Sequence, residues 1–195
     1  MANEEQPYRK LYGKIRVKIR GLTPLLMNRL TPEKLKRKTT PKTREFNPVK
    51  EAEESAYIDV IDGKRQLYIP AEAVYGMIVT AASLYRSGRI PLSSLLAGTI
   101  RIEPPKIPLG TDKYEVDIRA VVVQKARVMR ARAKVYPWCA EFTIVYDREM
   151  LGRVLGDLRK VLEDGGRRVG LLDFRPQKKG WFGTFAVEEF EVVED

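Results

Sequence analysis

The 195-residue chain contains no histidine and a single cysteine, Cys139. Without imidazole there is no Ser-His-Asp or Cys-His catalytic set, and no side chain whose ordinary pKa suits general base work near neutrality. One cysteine excludes an intramolecular disulfide and a cysteine-rich zinc site. No apolar run approaches the roughly 20 residues that span a bilayer, so no membrane partner is expected. The opening Met1 to Pro7 is polar and lacks the pattern of a secretory signal, which leads to a cytoplasmic expectation. Walker A and Gly-x-Gly-x-x-Gly signatures are missing, and neither a cofactor nor a bound metal is expected.

What is present is positive charge: 36 Lys and Arg oppose 26 Asp and Glu, for a net +10. Such an excess favours a polyanionic partner. The hydrophobic fraction of 44% still supports a packed core, and the length suits one domain over residues 1–195. High charge with almost no cysteine also fits a thermophile.

Periodicity divides the chain. Ile15, Val17 and Ile19 alternate with Lys14, Arg16, Lys18 and Arg20, which predicts a strand with one buried face. Residues 28–56 are rich in charge and poor in apolar residues, and are expected to form a flexible basic loop with room for at most a short helix. Asp62-Gly63 marks a hairpin between residues 57–61 and 65–69. From Pro70, Val74, Met77, Ile78, Ala81, Ala82 and Tyr85 recur at helical spacing up to Gly88.

Four strand-like stretches follow, over residues 99–103, 114–124, 127–135 and 138–146. Asp147 suits the cap of a second helix bearing Leu151, Val154, Leu155, Leu158 and Leu162. A glycine-punctuated loop, 170–183, leads into a last strand. Insertions aside, the order is strand, helix, strand, strand, helix, strand. This predicts an α+β, ferredoxin-like (RRM-like) antiparallel sheet with two helices on one face, plus a β-hairpin insertion and the long basic loop.

Three basic zones are candidate nucleic-acid contacts. The first comprises Arg29, Lys34, Lys36, Arg37, Lys38, Lys42 and Arg44. The second comprises Lys125, Arg127, Arg130, Arg132 and Lys134, and the parity of the last three continues to Tyr136 and Trp138. The third comprises Arg167, Arg168, Arg175, Lys178 and Lys179, next to Trp181 and Phe182. Cations neutralise phosphates while flat rings stack on unpaired bases, so this mixture predicts a single-stranded ligand. The acidic end, from Glu188 to Asp195, is either a solvated edge or a surface for a neighbour's basic loop, which would make a filament of copies.

Three segments carry a resemblance. Gly21-Leu-Thr-Pro-Leu-Leu-Met27, Tyr68-Ile-Pro-Ala-Glu-Ala-Val-Tyr-Gly76 and Gly170-Leu-Leu-Asp-Phe-Arg-Pro-Gln-Lys-Lys-Gly-Trp-Phe-Gly183 resemble the RAMP superfamily of CRISPR-associated RNA-binding proteins. The resemblance implies that the 170–183 loop and the start of the first helix grip a single-stranded backbone. Gly170, Gly180 and Gly183 would shape that contact, Arg175, Lys178 and Lys179 would meet phosphates, and the basic loop would act as a thumb. Leu172 stands where the family often has a second glycine.

Residues 22–58 contain no Asp, where some family members place a catalytic aspartate. Asp59 and Asp62 belong to the hairpin and its turn, and Glu33 and Glu45 balance lysines. The expectation is a non-enzymatic binder of single-stranded DNA or RNA with low sequence specificity, coating the strand as side-by-side copies. A carboxylate- and metal-dependent ribonuclease subunit and a basic adaptor protein are the alternatives.

Overall fold

The computed structural model describes residues 11–32, 46–123 and 126–193. Lys34, Lys36, Arg37, Lys38, Lys42, Arg44 and Lys125 lie outside the described residues. The alternation in β1 (Tyr12–Gly21) becomes the spine of a four-stranded sheet. Ile15, Val17 and Ile19 are fully buried, while Lys14, Arg16 and Arg20 face solvent.

The sheet also takes β7 (Ile100–Glu103), β11 (Cys139–Asp147) and β12 (Phe185–Val193), in the spatial order β12-β1-β11-β7, with every pair antiparallel. Helices α2 (Ala71–Ala82) and α5 (Leu155–Asp164) contribute Val74, Met77, Ile78, Leu158, Val161 and Leu162 to the core with Phe142, Ile144 and Phe185. Counting only β1, α2, β7, β11, α5 and β12, the connectivity is the predicted ferredoxin-like one. The first and third core strands sit in the centre.

The remaining elements are insertions. Between β1 and α2 lie β2 (Leu25–Leu26), α1 (Pro48–Ser55), β3 (Ile58–Ile61) and β4 (Lys64–Pro70), the last two forming the predicted hairpin. Between α2 and β7 come β5 (Arg86–Ser87), β6 (Ile90–Pro91) and α3 (Leu92–Thr99). After β7, β8 (Lys106–Pro108) pairs with β4, and β9 (Glu115–Val123) with β10 (Ala126–Val135) makes a long ribbon that joins β2.

One expectation is made specific and one needs correcting. The short helix for which the 28–56 segment left room is α1 over residues 48–55, where Asn47 accepts a hydrogen bond from the Lys50 N–H and Pro48 occupies the first turn. The helix is anchored on β10, where the Ala133 N–H donates to Ser55 Oγ at 2.8 Å. The second helix is not continuous. Asp147 caps only α4 (Arg148–Leu151), Gly152 follows, and α5 begins again at Leu155.

Candidate nucleic-acid interface

The uncovered face of the main sheet is where an RRM-like fold would stack bases, yet here it is electrically balanced. Register places β1 between two acidic neighbours: Lys18 lies opposite Glu141 on β11 and Glu189 on β12, and Arg16 opposite Glu191. Lys18 Nζ is 3.4 Å from Glu141 and 3.6 Å from Glu189, and Arg20 bonds Glu188. Glu189 raises the Lys18 pKa, and the hydrogen bond from Arg20 holds Glu188 below the ordinary carboxylate value. The acidic last strand is thus matched to bases of its own chain. These three carboxylates are engaged within the chain, and Glu194 and Asp195 of the same acidic end lie outside the described residues.

Three residues of the second basic zone are likewise neutralised. Arg130, Arg132 and Lys134 do share one face of β10, but Arg130 bonds Glu51 of α1 at 2.9 Å, Lys134 lies 2.8 Å from Glu115, and Arg132 pairs with Asp173. The sequence shows no acid within this run because its acids arrive from three other elements. Arg127 is exposed near the ribbon's end. Parity does not carry on to Trp138, because β10 ends at Val135. Trp138 is 4% exposed, donates from Nε1 to the Thr23 carbonyl at 2.8 Å and packs edge-on against Phe185. It is a core residue, not a stacking platform.

The third zone splits in two. Arg167 and Arg168 sit on the turn after α5 and face Asp164, which Tyr85 also bonds. The hydrogen bond from Tyr85 and the two arginines keep the Asp164 carboxyl low. Arg175 and Lys178 instead line a cleft of about 450 Å³ between α2 and the 170–183 loop. Its α2 wall is Glu72, Ala73, Gly76, Met77 and Thr80, its loop wall includes Gly170, Leu172, Asp173 and Gln177, and Asn28 and Tyr57 join them. Burial is the main cause that pushes the Tyr57 phenol above its ordinary value.

The loop wall is built for rigidity. Leu171 and Gly183 are joined by an N–H to carbonyl bond of 2.9 Å, Asp173 donates to Leu26 at 3.0 Å, and Gly183 to Pro24 at 2.8 Å. Leu172, Phe174 and Lys179 hold positive φ of 60°, 51° and 60°, values that cost free energy in residues with a side chain. The glycines answer to the loop itself. A Cβ on Gly180 would lie 1.9 Å from the Phe174 carbonyl oxygen, and one on Gly183 2.0 Å from that of Leu171. Close approach of a ligand is not needed to explain them. Of the three predicted glycines, Gly170 lines the cleft.

Arg175 differs from the other arginines in its partners. Nη1 donates to the Leu172 carbonyl at 2.6 Å, and Nε and Nη2 donate to Gln177 Oε1 at 3.2 and 3.0 Å. A guanidinium has five N–H groups, so two remain, one on each terminal nitrogen. Its acceptors among the described residues are neutral, so its orientation is set while its charge is kept. Lys178 and Lys179 are exposed and make no ion pair among the described residues.

Trp181, outside the lining of the cleft, is 66% exposed and rests on Phe174 at 5.9 Å between centroids. Phe182, also predicted to stack, is 7% exposed, with the Arg119 guanidinium 4.7 Å from its ring and 4.8 Å from that of Phe174. Arg29 is exposed, and its N–H donates to the Ser55 carbonyl at 2.8 Å. Sequence reasoning missed Arg119, Asp173, Glu72 and Tyr57 as neighbours of the site. Only the alternation of β9 carried a signal for Arg119.

No protein-family model and no curated protein sequence matches the chain. Among solved structures, the fold is similar to a chain in a cryo-EM structure of the type III-B Cmr-beta bound to cognate target RNA. The TM-score is 0.59 at 16% identity, over 95% of this chain and 62% of that one. This chain therefore spans under two thirds of that neighbour's length. A chain of a CRISPR RNA-guided surveillance complex matches at TM-score 0.33 and 12% identity, over 79% of this chain and 58% of that one.

Proposed function

We propose that this chain binds single-stranded RNA in the cleft between α2 and the 170–183 loop, as a subunit of a CRISPR-type ribonucleoprotein, and that it does not cut the strand. The observation that carries the reading is Arg175, oriented by Leu172 and Gln177, with two N–H groups unused and no ion pair among the described residues. Such a fork suits a phosphate oxygen pair. Lys178 lies on the same wall, and Lys179 and the exposed Trp181 follow it in the same loop, a further charge and a face for stacking. The fold shared with a chain of an RNA-bound assembly supports the choice of ligand. Contacts to phosphate carry little sequence information, so low base specificity follows.

The reading without catalysis rests on the lack of histidine and on the pairing of Asp173 with Arg132, whose Nη1 lies against the buried Asp173 Oδ2 without a hydrogen bond to it. Titration of labelled single-stranded RNA against salt tests the binding. Three neutralised phosphates give a log-log slope near about −2 on a single strand, and an affinity indifferent to salt, or higher for duplex, defeats the proposal. Incubation of labelled RNA with manganese, with and without a chelator, tests the second part; cleavage that the chelator abolishes identifies the chain as a metal-dependent nuclease instead.

A further inference from the structure

We infer that Glu72 reads the ribose 2′-hydroxyl of the bound strand, so that the cleft holds ribose in preference to deoxyribose; the inference rests on the cleft being the strand's site. Glu72 is the second residue of α2 and lies across the cleft from Arg175 and Lys178. It is exposed and makes no ion pair among the described residues. The other carboxylate in the cleft, Asp173, is matched by Arg132. On the same flank of α2 follow Ala73, Gly76 and Thr80, and a Cβ on Gly76 would meet nothing within 4 Å.

A strand that turns its phosphates to the loop wall brings its sugars to the helix wall. There a carboxylate, which only accepts hydrogen bonds, repels phosphate oxygens and is satisfied only by a donor. Within a sugar-phosphate backbone that donor is the 2′-hydroxyl, and it recurs with every nucleotide of RNA. Deoxyribose has none, and it would strip water from Glu72 without replacing the hydrogen bond. The acidic residue that weakens a general polyanion site thus makes it selective. A helix whose first turn merely favours negative charge would also select Glu72, but such a role leaves sugar discrimination unmoved.

The experiment measures the affinity of wild type, Glu72→Ala, Glu72→Gln and Arg175→Ala for oligouridine with ribose, 2′-deoxy and 2′-fluoro sugars. Wild type is expected to hold the ribose form about tenfold tighter than the other two, the worth of one charge-assisted hydrogen bond. Glu72→Ala should bring all three within about twofold, and Glu72→Gln, which retains an acceptor oxygen, should keep part of the preference. Arg175→Ala should weaken all three alike. A 2′-fluoro strand bound like ribose, or a ratio unchanged in Glu72→Ala, overturns the role of Glu72, and the cleft reading still stands if Arg175→Ala weakens binding. An Arg175→Ala variant that binds every sugar as wild type does defeats both.

Discussion

Strand β10 and the 170–183 loop are both read from sequence as runs of positive charge next to aromatic rings, and the fold treats them in opposite ways. On β10, Arg130, Arg132 and Lys134 each meet a carboxylate from another element, and the nearby Trp138 is buried. In the loop, Arg175 is positioned by neutral oxygens, Lys178 and Lys179 meet no acid among the described residues, and Trp181 remains in solvent. A charge spent inside the protein fastens elements together; a charge left over attracts a ligand. Counting lysines and arginines does not separate the two. Their partners do.

Substitutions sharpen this contrast. The largest effect is expected from Gly183→Ala, where a Cβ would meet the Leu171 carbonyl at 2.0 Å on a backbone of φ +69°. A loss of about 3 kcal/mol in urea unfolding should accompany loss of RNA binding, because the loop wall depends on that contact. Unchanged stability would show that the loop tolerates rearrangement.

Next in size is Arg175→Ala with Lys178→Ala, which should lower RNA affinity about 10- to 100-fold while costing about 1 kcal/mol of stability for the lost bond to the Leu172 carbonyl. Fluorescence anisotropy and a thermal scan of one preparation decide it. The reverse profile would move the binding site away from the loop.

Gly76→Ala should raise stability by about 1 kcal/mol, since alanine favours the helix interior and, apart from the neighbouring helix backbone, no atom of the described residues lies within 4 Å of the new methyl. A destabilised variant would mean that α2 is packed at this position. Arg130→Ala with Lys134→Ala should cost about 1 kcal/mol or less per ion pair, as these side chains are 41% and 26% exposed, and should change RNA affinity little. A broad loss of affinity would return β10 to the site.

The smallest effect concerns pH. Asp164 is held low chiefly by the hydrogen bond from Tyr85, Asp59 by that from Lys106 and Glu188 by that from Arg20. A carboxyl with a lower pKa in the folded state than in the unfolded chain stabilises the fold above its unfolded value, and the contribution is lost as pH falls through the folded one. Urea midpoints should therefore stay level down to the ordinary values of 4.5 for Glu and 3.8 for Asp, then fall. A fall that begins near neutrality would point to other groups.

The amino-acid order by itself determined the strand-and-helix sequence of the core, because alternation in β1 and the spacing of Val74, Met77, Ile78 and Ala81 in α2 are local properties of the backbone. It also made legible the glycine loop and its link to the start of α2, through three short segments of family character. Helix α1 was legible only as room for a short helix, because its face is small and is completed only by β10, where Ser55 and Glu51 find their partners. What only the tertiary structure decided is which charges remain. Glu51, Glu115, Asp173 and the glutamates of β12 neutralise the bases of β10 and β1 across distances in sequence that no local pattern records. The physical reason is that electrostatic pairing acts through space, while periodicity acts along the chain.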